Sequence, residues 1–74
     1  MPVVGAMYRL TVNGRPLPNL YRFEGEEAQH CQLHGEYIGQ RWLFLKRRNS
    51  EVKPWGSVRS YAADNPDLRI EQVS

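Results

Sequence analysis

Two histidines, His30 and His34, are four residues apart and could together bind a divalent metal ion. If this segment is helical, both imidazoles lie on one face, with Glu27 one turn earlier beside them, and that spacing can chelate zinc. No third dedicated ligand is evident, and the glutamate that a zinc protease needs directly after its first histidine is absent. We therefore expect two solvated histidines, no bound metal and no cofactor.

Cys31 lies next to His30, and a thiol beside an imidazole can become a nucleophile. On a helix, however, neighbouring side chains point about 100° apart, and no third group is evident that would orient the pair. The serines lack the glycines of a nucleophile elbow, and the glycines form no phosphate-binding motif. We expect Cys31 to be a small buried core residue, and the sequence supports no class of enzyme.

A cationic stretch between residues 46 and 59 is the one feature that is shaped for a partner. Its members are Lys46, Arg47, Arg48, Lys53, Trp55 and Arg59. Cations beside an exposed aromatic ring can bind phosphates and stack a base, or they can meet an acidic protein surface. The alternative is a solvated strand end whose charges balance nearby glutamates, with Trp55 packed under a helix. We predict that these six residues form the partner-binding site.

Charge is segregated along the chain, although the net charge is only +2. Residues 1 to 23 carry three arginines and no acid, whereas residues 24 to 36 carry four glutamates and no lysine or arginine. Residues 40 to 59 then hold six cations against one glutamate. The low total falls short of the broad basic surface that is typical of nucleic-acid-binding domains.

The chain has 74 residues, which leaves room for one hydrophobic core and therefore for a single domain, residues 1–74, with residues 1–6 as a flexible N-terminal arm. A single cysteine excludes an internal disulfide, and a domain this small buries only about 60% of the surface of its unfolded chain. Self-association is one remedy, so a homodimer fits. No apolar run could cross a bilayer and no export signal is evident, which favours a cytoplasmic location.

Local patterns predict a hairpin first and a helix next. Apolar and polar residues alternate over Met7 to Val12, and Asn13-Gly14 is a strong hairpin signal, with pairing resumed at Leu20 to Phe23 after two prolines. Glu24 to His34 contains no β-branched residue, which favours a helix. A strand is the alternative there, because alternate residues from position 31 to 37 also fit one face of a strand.

The second half of the chain predicts a central strand, a short helix and a final strand. Arg41 to Arg47 has apolar side chains on both faces, so this strand should be interior, with Trp42 and Phe44 buried. A short helix is predicted from residue 55 or 57 to residue 63, and a half-exposed strand over residues 68–73. The order β-β-α-β-α-β predicts an α+β domain, a three- to four-stranded antiparallel sheet with one or two short helices on one face.

We expect a small non-catalytic protein-binding module or inhibitor that acts by occupying a partner surface. Phages and mobile elements encode short stand-alone chains of this kind, and the chain is rich in Arg, Trp and Tyr, the side chains common at interface hot spots. The alternative is a nucleic-acid-binding accessory or regulatory protein that uses the basic patch at residues 46–59. The expected partner is another protein or a protein–nucleic-acid complex, and not a membrane.

Overall fold

A computed structural model describes residues 1–74, and every regular element in it is a β-strand. The strands are β1 (Met7–Val12), β2 (Arg15–His30), β3 (Tyr37–Arg47), β4 (Trp55–Ala62) and β5 (Leu68–Gln72). They form one antiparallel sheet in the order β4-β3-β2-β1-β5, so β5 returns to pair with β1. The predicted α+β class is therefore wrong, because the sheet has five strands and no helix covers it. No helix is present that could cross a membrane.

Both segments that were predicted as helices are extended. Glu24 to His34 forms the second half of β2 and the start of the following turn, and the segment from residue 55 to residue 63 is mainly β4. The preference of Glu, Ala and Gln for a helix is only a few tenths of a kcal/mol per residue. The long apolar strand β3 offers pairing partners on both of its sides, with β2 along one edge and β4 along the other. Pairing with β3 outweighs the local preference in both segments.

The first hairpin forms as predicted. Asn13 and Gly14 both have positive φ, 53° and 76°, which is the conformation of a two-residue type I′ turn. Val12 pairs with Arg15 directly across this turn, so β2 begins before the prolines and not after them. Pro16 is tolerated because its nitrogen points away from β1, towards a side of β2 that β3 does not reach.

The core lies on one face of the sheet and consists mainly of aromatic side chains. Its buried members are Tyr8, Leu10, Tyr21, Phe23 and Phe44. The ring centroids of Tyr8 and Phe44 are 6.1 Å apart, although β2 lies between their strands and adjacent strands are about 4.8 Å apart. The side chains therefore converge over β2. Because Leu10 and Phe44 are 0% exposed although no second layer packs on this face, the sheet must curl around them, and the core face is concave.

β3 is an interior strand, as predicted. Phe44 is fully buried at its middle, and Trp42 is half-buried against the ring of Phe23, at a centroid distance of 6.3 Å. The intervening Leu43 and the following Leu45 point to the opposite, convex face. No second layer of protein covers them there, because the helices that were expected on one face of the sheet do not exist.

Residues 1–6, which were expected to form a flexible arm, lie against one end of the core. Pro2 is buried, and the backbone nitrogen of Val3 donates to the hydroxyl of Tyr8 at 2.7 Å. The backbone nitrogen of Gly5 donates to the carbonyl of Phe23 at 2.9 Å. These contacts continue the pairing of β1 with β2 towards the N terminus.

The ends of β2 and β3 project from the sheet as a two-stranded ribbon, which we call the β2–β3 extension (residues 26–40). β1 pairs with β2 no further than Phe23, and β4 ends opposite Arg41, so the extension has no neighbouring strand on either side. Gly25 precedes it at a β-bulge, with a φ of 131°. The extension contributes to the elongated shape of the molecule, whose longest dimension is 43 Å.

The buried Tyr21 should make the fold sensitive to alkaline pH. Burial raises the pKa of its phenol above 10.0, while the nearby Arg59 opposes the rise and Tyr61 adds to it. The phenol therefore ionises near pH 10.0 in the unfolded chain but only at higher pH in the folded one. The contribution of Tyr21 to the free energy of unfolding is complete below pH 10.0, the pKa of the phenol in the unfolded chain. It is lost as the pH rises through the higher pKa of the folded protein.

We expect urea titrations to show this loss of stability above pH 10.0, and Tyr21→Phe to remove part of it. Tyr37→Phe is the matched control, because Tyr37 is 58% exposed and its replacement should leave the alkaline loss of stability as in the parent. If the alkaline loss of stability in Tyr21→Phe equals that of the parent, the buried phenol is not its cause.

Candidate partner-binding site

The six predicted site residues lie where β3 ends and β4 begins, but the sheet divides them between its two faces. Adjacent strand residues point in opposite directions. Lys46 pairs with the core residue Tyr21, so it lies on the concave side, as does Arg59 opposite Phe44. The other members of the stretch are placed differently: Arg47 and Trp55 are on the convex side, and Lys53 is exposed in the β3–β4 loop. Arg48 is exposed, and its side chain lies beside Gly56 and Lys46, towards the concave side.

Three side chains form a compact group on the convex side, which we call the Trp55 cluster (Arg22, Arg47 and Trp55). The guanidinium carbon of Arg22 lies 4.3 Å from the centroid of the Trp55 ring. The guanidinium carbon of Arg47 lies 5.2 Å from the same centroid. Both distances are in the range of cation–π attraction, which is worth about 0.5–1 kcal/mol at exposed sites. The cluster therefore joins three adjacent strands, β2, β3 and β4.

Arg22 is held in place from its other side by Glu24. The Nη2 of Arg22 donates to Oε1 of Glu24 at 2.8 Å, and its Nε donates to Oε2 at 3.2 Å. This paired hydrogen bond raises the pKa of Arg22 above its ordinary value, against a smaller opposing effect of desolvation. A guanidinium fixed by two parallel bonds has little rotamer freedom, so the orientation of Arg22 over the Trp55 ring is fixed within the protein itself.

Arg47 also fixes the loop between β3 and β4. Its Nη1 donates to the carbonyl of Pro54 at 2.9 Å and to that of Arg48 at 3.3 Å. The amide of Asn19 donates to the backbone carbonyl of Arg47 at 2.8 Å. Arg47 is therefore a structural donor as well as a surface charge, whereas Arg48 and Lys53 are exposed cations.

A row of apolar side chains adjoins the Trp55 cluster, and we call it the convex row (Leu43, Leu45 and Val58); its two leucines are half-buried and its valine is exposed. Leu45 pairs with Arg22 on one side and with Val58 on the other, so cluster and row are continuous. Val58 is 55% exposed. The molecule has no pocket, and the site is an open surface in which aliphatic side chains lie beside a tryptophan and two arginines.

Sequence reasoning missed Arg22, Leu45 and Val58 as members of this site. Arg22 is remote from Trp55 in the chain, and only the register of β2 against β3 brings the two together. A signal for the convex row was present in the sequence, because Leu43 and Leu45 alternate with core residues. That pattern predicts a strand with apolar groups on both faces, but the leucines of the second face were not included in the predicted binding site.

The histidines and the cysteine lie away from this site. The helical face that would join His30, His34 and Glu27 does not form, since His30 ends β2 and His34 lies in the turn at the tip of the extension. Cys31 is half-exposed in that turn, and not a buried core residue. Its backbone nitrogen donates to the carbonyl of Glu36 at 2.7 Å. No group of three or more His, Cys, Asp or Glu side chains is placed to hold a metal ion.

Comparisons with known proteins add no family to this description. No family model, no curated protein and no solved structure matches the chain. The site is therefore interpreted from its own geometry.

Proposed function

We propose that the chain is a small non-catalytic protein-binding module that occupies the surface of a partner with the convex side of its sheet. The observation that carries this proposal is the continuity of the Trp55 cluster with the convex row, on which no second layer of the protein packs. A reducing compartment such as the cytoplasm suits the free thiol of Cys31.

The composition of this surface is that of an interface centre. Tryptophan and arginine are enriched among the few residues that supply most binding energy. Arg22 and Arg47 already hold the ring of Trp55 in the free protein. Binding would therefore restrict the side chain of Trp55 only slightly further, which lowers the entropic cost of association. Apolar area of the convex row that a partner removes from water contributes favourably, by about 25 cal/mol per Å² before the entropic costs of association are subtracted.

The charges around the surface indicate the chemistry of the partner. Lys53 is exposed in the β3–β4 loop at the edge of the site, with Glu51 as the nearby acid in the sequence. A partner surface with an apolar centre and an acidic group at this edge would complement Lys53 and the two arginines of the Trp55 cluster, and such charges mainly accelerate association. Lys46, Arg48 and Arg59 lie on the concave side and would not contact the same flat surface.

Nucleic acid is the less favoured partner, for two structural reasons. A base stacks on an open aromatic face, but Trp55 already carries the guanidinium of Arg22 at 4.3 Å. The cations of the stretch are divided between the two faces of the sheet, so they do not line one continuous track for a phosphate backbone.

Replacement of Trp55 is expected to weaken partner binding. The tagged chain would first be used to capture proteins from a nuclease-treated lysate of its source cells, and the captured protein would then be titrated with purified variants. We expect Trp55→Ala to bind at least tenfold more weakly than the parent, a loss of about 1.4 kcal/mol. The mutation removes the aromatic anchor and its cation–π contacts with both arginines.

Tyr37→Ala is the matched control, because Tyr37 is an exposed aromatic residue at the far end of β3. It should bind like the parent, and thermal melts would show that both variants are folded. Equal affinities of Trp55→Ala and the parent would contradict the proposal. A capture that nuclease treatment abolishes would instead favour the nucleic-acid alternative.

A further inference from the structure

The strand β4 forms one edge of the sheet, because it pairs with β3 on one side and with no strand on the other. Its register against β3 is regular from Val58 to Ala62. An edge of this kind presents a row of backbone N–H and C=O groups to which another strand can bind. The pairing of β4 with β3 determines which of these groups are available.

The backbone groups of Val58 and Ser60 point away from β3. In an antiparallel pair of strands, hydrogen-bonded residue pairs alternate with non-hydrogen-bonded ones. The nitrogen of Ala63 donates to the carbonyl of Gln40 at 2.9 Å, which makes these two residues a hydrogen-bonded pair. Ser60 and Val58 are three and five positions before Ala63, so each belongs to a non-hydrogen-bonded pair. Their N–H and C=O groups therefore face outwards, beyond the edge of the sheet.

One of these outward groups already has a partner. Nη2 of Arg41 donates to the carbonyl of Ser60 at 2.7 Å, and Nε of Arg41 donates to the Ser60 hydroxyl at 2.8 Å. A carbonyl oxygen has two lone pairs, so that of Ser60 can accept a second hydrogen bond. The N–H groups of Val58 and Ser60 and the carbonyl of Val58 have no partner within the chain. The edge thus offers two donors and two acceptors to an added strand.

Arg59 gives this edge a preference for acidic residues. It is exposed on the concave side, where Lys46 and Arg48 also lie. Glu26 is on the same side but two strands away, and it accepts a hydrogen bond from Nε1 of Trp42 at 2.9 Å. No ion pair in the molecule includes Arg59. An acidic side chain on an added strand, opposite Arg59, would supply the missing charge.

A second copy of the chain is a poor occupant of this edge. Two β4 strands related by a two-fold axis would pair antiparallel through Val58 and Ser60. Every such register places the two Arg59 side chains on the same side of the sheet, either directly opposite each other or one diagonal apart. Like charges at these positions are destabilising. Arg59 therefore disfavours pairing between copies and favours an acidic strand from another protein.

We infer that the outer edge of β4 binds an extended segment of the partner protein in which acidic and β-branched apolar residues alternate. This segment adds a sixth strand to the sheet, held by backbone bonds to Val58 and Ser60. Its acidic side chains lie beside Arg59, and its apolar side chains lie beside Val58, where they continue the convex row. The inference rests on the proposed function, because Trp55 and Val58 both belong to β4, and it specifies the binding element of the partner.

The test uses the purified chain and a synthetic probe, a capped heptapeptide in which valine and glutamate alternate. In an NMR titration we expect the peptide to shift the amide resonances of Val58 and Ser60 and to slow their hydrogen exchange. The expected Kd is below about 1 mM. The same peptide with lysine in place of glutamate should bind at least tenfold more weakly, because Arg59 then faces a like charge.

Ser60→Pro separates pairing at the edge from general charge attraction. Proline removes the outward N–H of Ser60 but no bond to β3, and edge positions of this kind tolerate proline. We expect it to bind the acidic peptide at least tenfold more weakly than the parent. Ser60→Ala is the matched control, because it removes the hydroxyl that Arg41 contacts and keeps the N–H, so it should bind like the parent. Melting curves check that both variants fold.

Three results would overturn the inference. They are no binding of the acidic peptide at about 1 mM, equal binding of the lysine peptide, and parental affinity of Ser60→Pro. Dimers in sedimentation equilibrium that Ser60→Pro abolishes would also overturn it, since the edge would then belong to a second copy.

The peptide result is independent of the test of the proposed function. Peptide binding at the edge, together with a captured partner that Trp55→Ala binds like the parent, would refute the proposed function alone. A captured partner that depends on Trp55, together with no peptide binding, would refute the assignment of the edge alone.

Discussion

Phe44→Ala is expected to unfold the domain near room temperature. Phe44 is fully buried, and its ring lies 5.3 Å from that of Phe23 and 6.4 Å from that of Tyr61, as centroid distances. Removing such a side chain costs about 3–5 kcal/mol, because apolar area and packing contacts are lost and a cavity remains. A domain of this size has only about 3–5 kcal/mol in total from its core, so thermal and urea denaturation should show little folded protein.

Leu43→Ala is the control for this prediction. Leu43 is adjacent in β3, but it lies half-buried on the convex face, where truncation leaves no enclosed cavity. Its replacement should cost about 1 kcal/mol and leave a cooperative melt. Similar melting temperatures for the two variants would show that the concave side is not the principal core.

Gly25→Ala is expected to destabilise the fold through the backbone alone. Gly25 has a φ of 131°, a conformation that residues with a Cβ rarely adopt. No atom lies within 4 Å of the position that a Cβ would occupy, so there is no steric clash to relieve. The strain should cost about 1–3 kcal/mol, measured as a lower free energy of unfolding in urea.

The position of Gly25 adds to this effect, because the register of β2 against β3 shifts between Phe23 and Gly25. An alanine that removed the bulge would displace every later residue of β2 by one position and turn its side chains to the other face. The bond from Trp42 Nε1 to Glu26 Oε2, 2.9 Å in the folded protein, would then be lost.

Gly56→Ala provides the matched control. Gly56 does not have a positive φ, and an added Cβ would lie 3.2 Å from Cδ of Arg48, the flexible part of an exposed side chain. Arg48 can move away, so the free energy of unfolding should change by less than about 0.5 kcal/mol. Equal costs at the two glycines would mean that the φ of Gly25 is not the source of the strain.

The parts of the fold that could be predicted from the sequence are those that local patterns determine. The alternation of Met7 to Val12, the Asn13-Gly14 turn and the apolar run of β3 each specify their own conformation. Glu24 to His34 does not, because its residues favour a helix and become a strand only through pairing with β3. No local signal reports that pairing, so the α+β prediction failed there.

The candidate site was predicted in part for a similar reason. Charge density identified the stretch from Lys46 to Arg59, and the structure keeps Arg47 and Trp55 together within it. Strand alternation turns Lys46 and Arg59 to the concave side, which could not be predicted while residues 55–63 were taken as a helix. Arg22 joins the site through sheet register alone.

The β2–β3 extension divides the protein into parts of unequal local stability. Its backbone bonds are exposed and its side chains are unburied, so it can open by itself while the curled sheet remains folded. A protease that cut the turn near Leu33 would separate the chain into one fragment with β1 and β2 and another with β3, β4 and β5. The fragments would still be joined by two strand interfaces, β2 with β3 and β1 with β5. The two fragments could therefore be produced separately and reassemble as a split protein, since each carries strand edges that pair with those of the other.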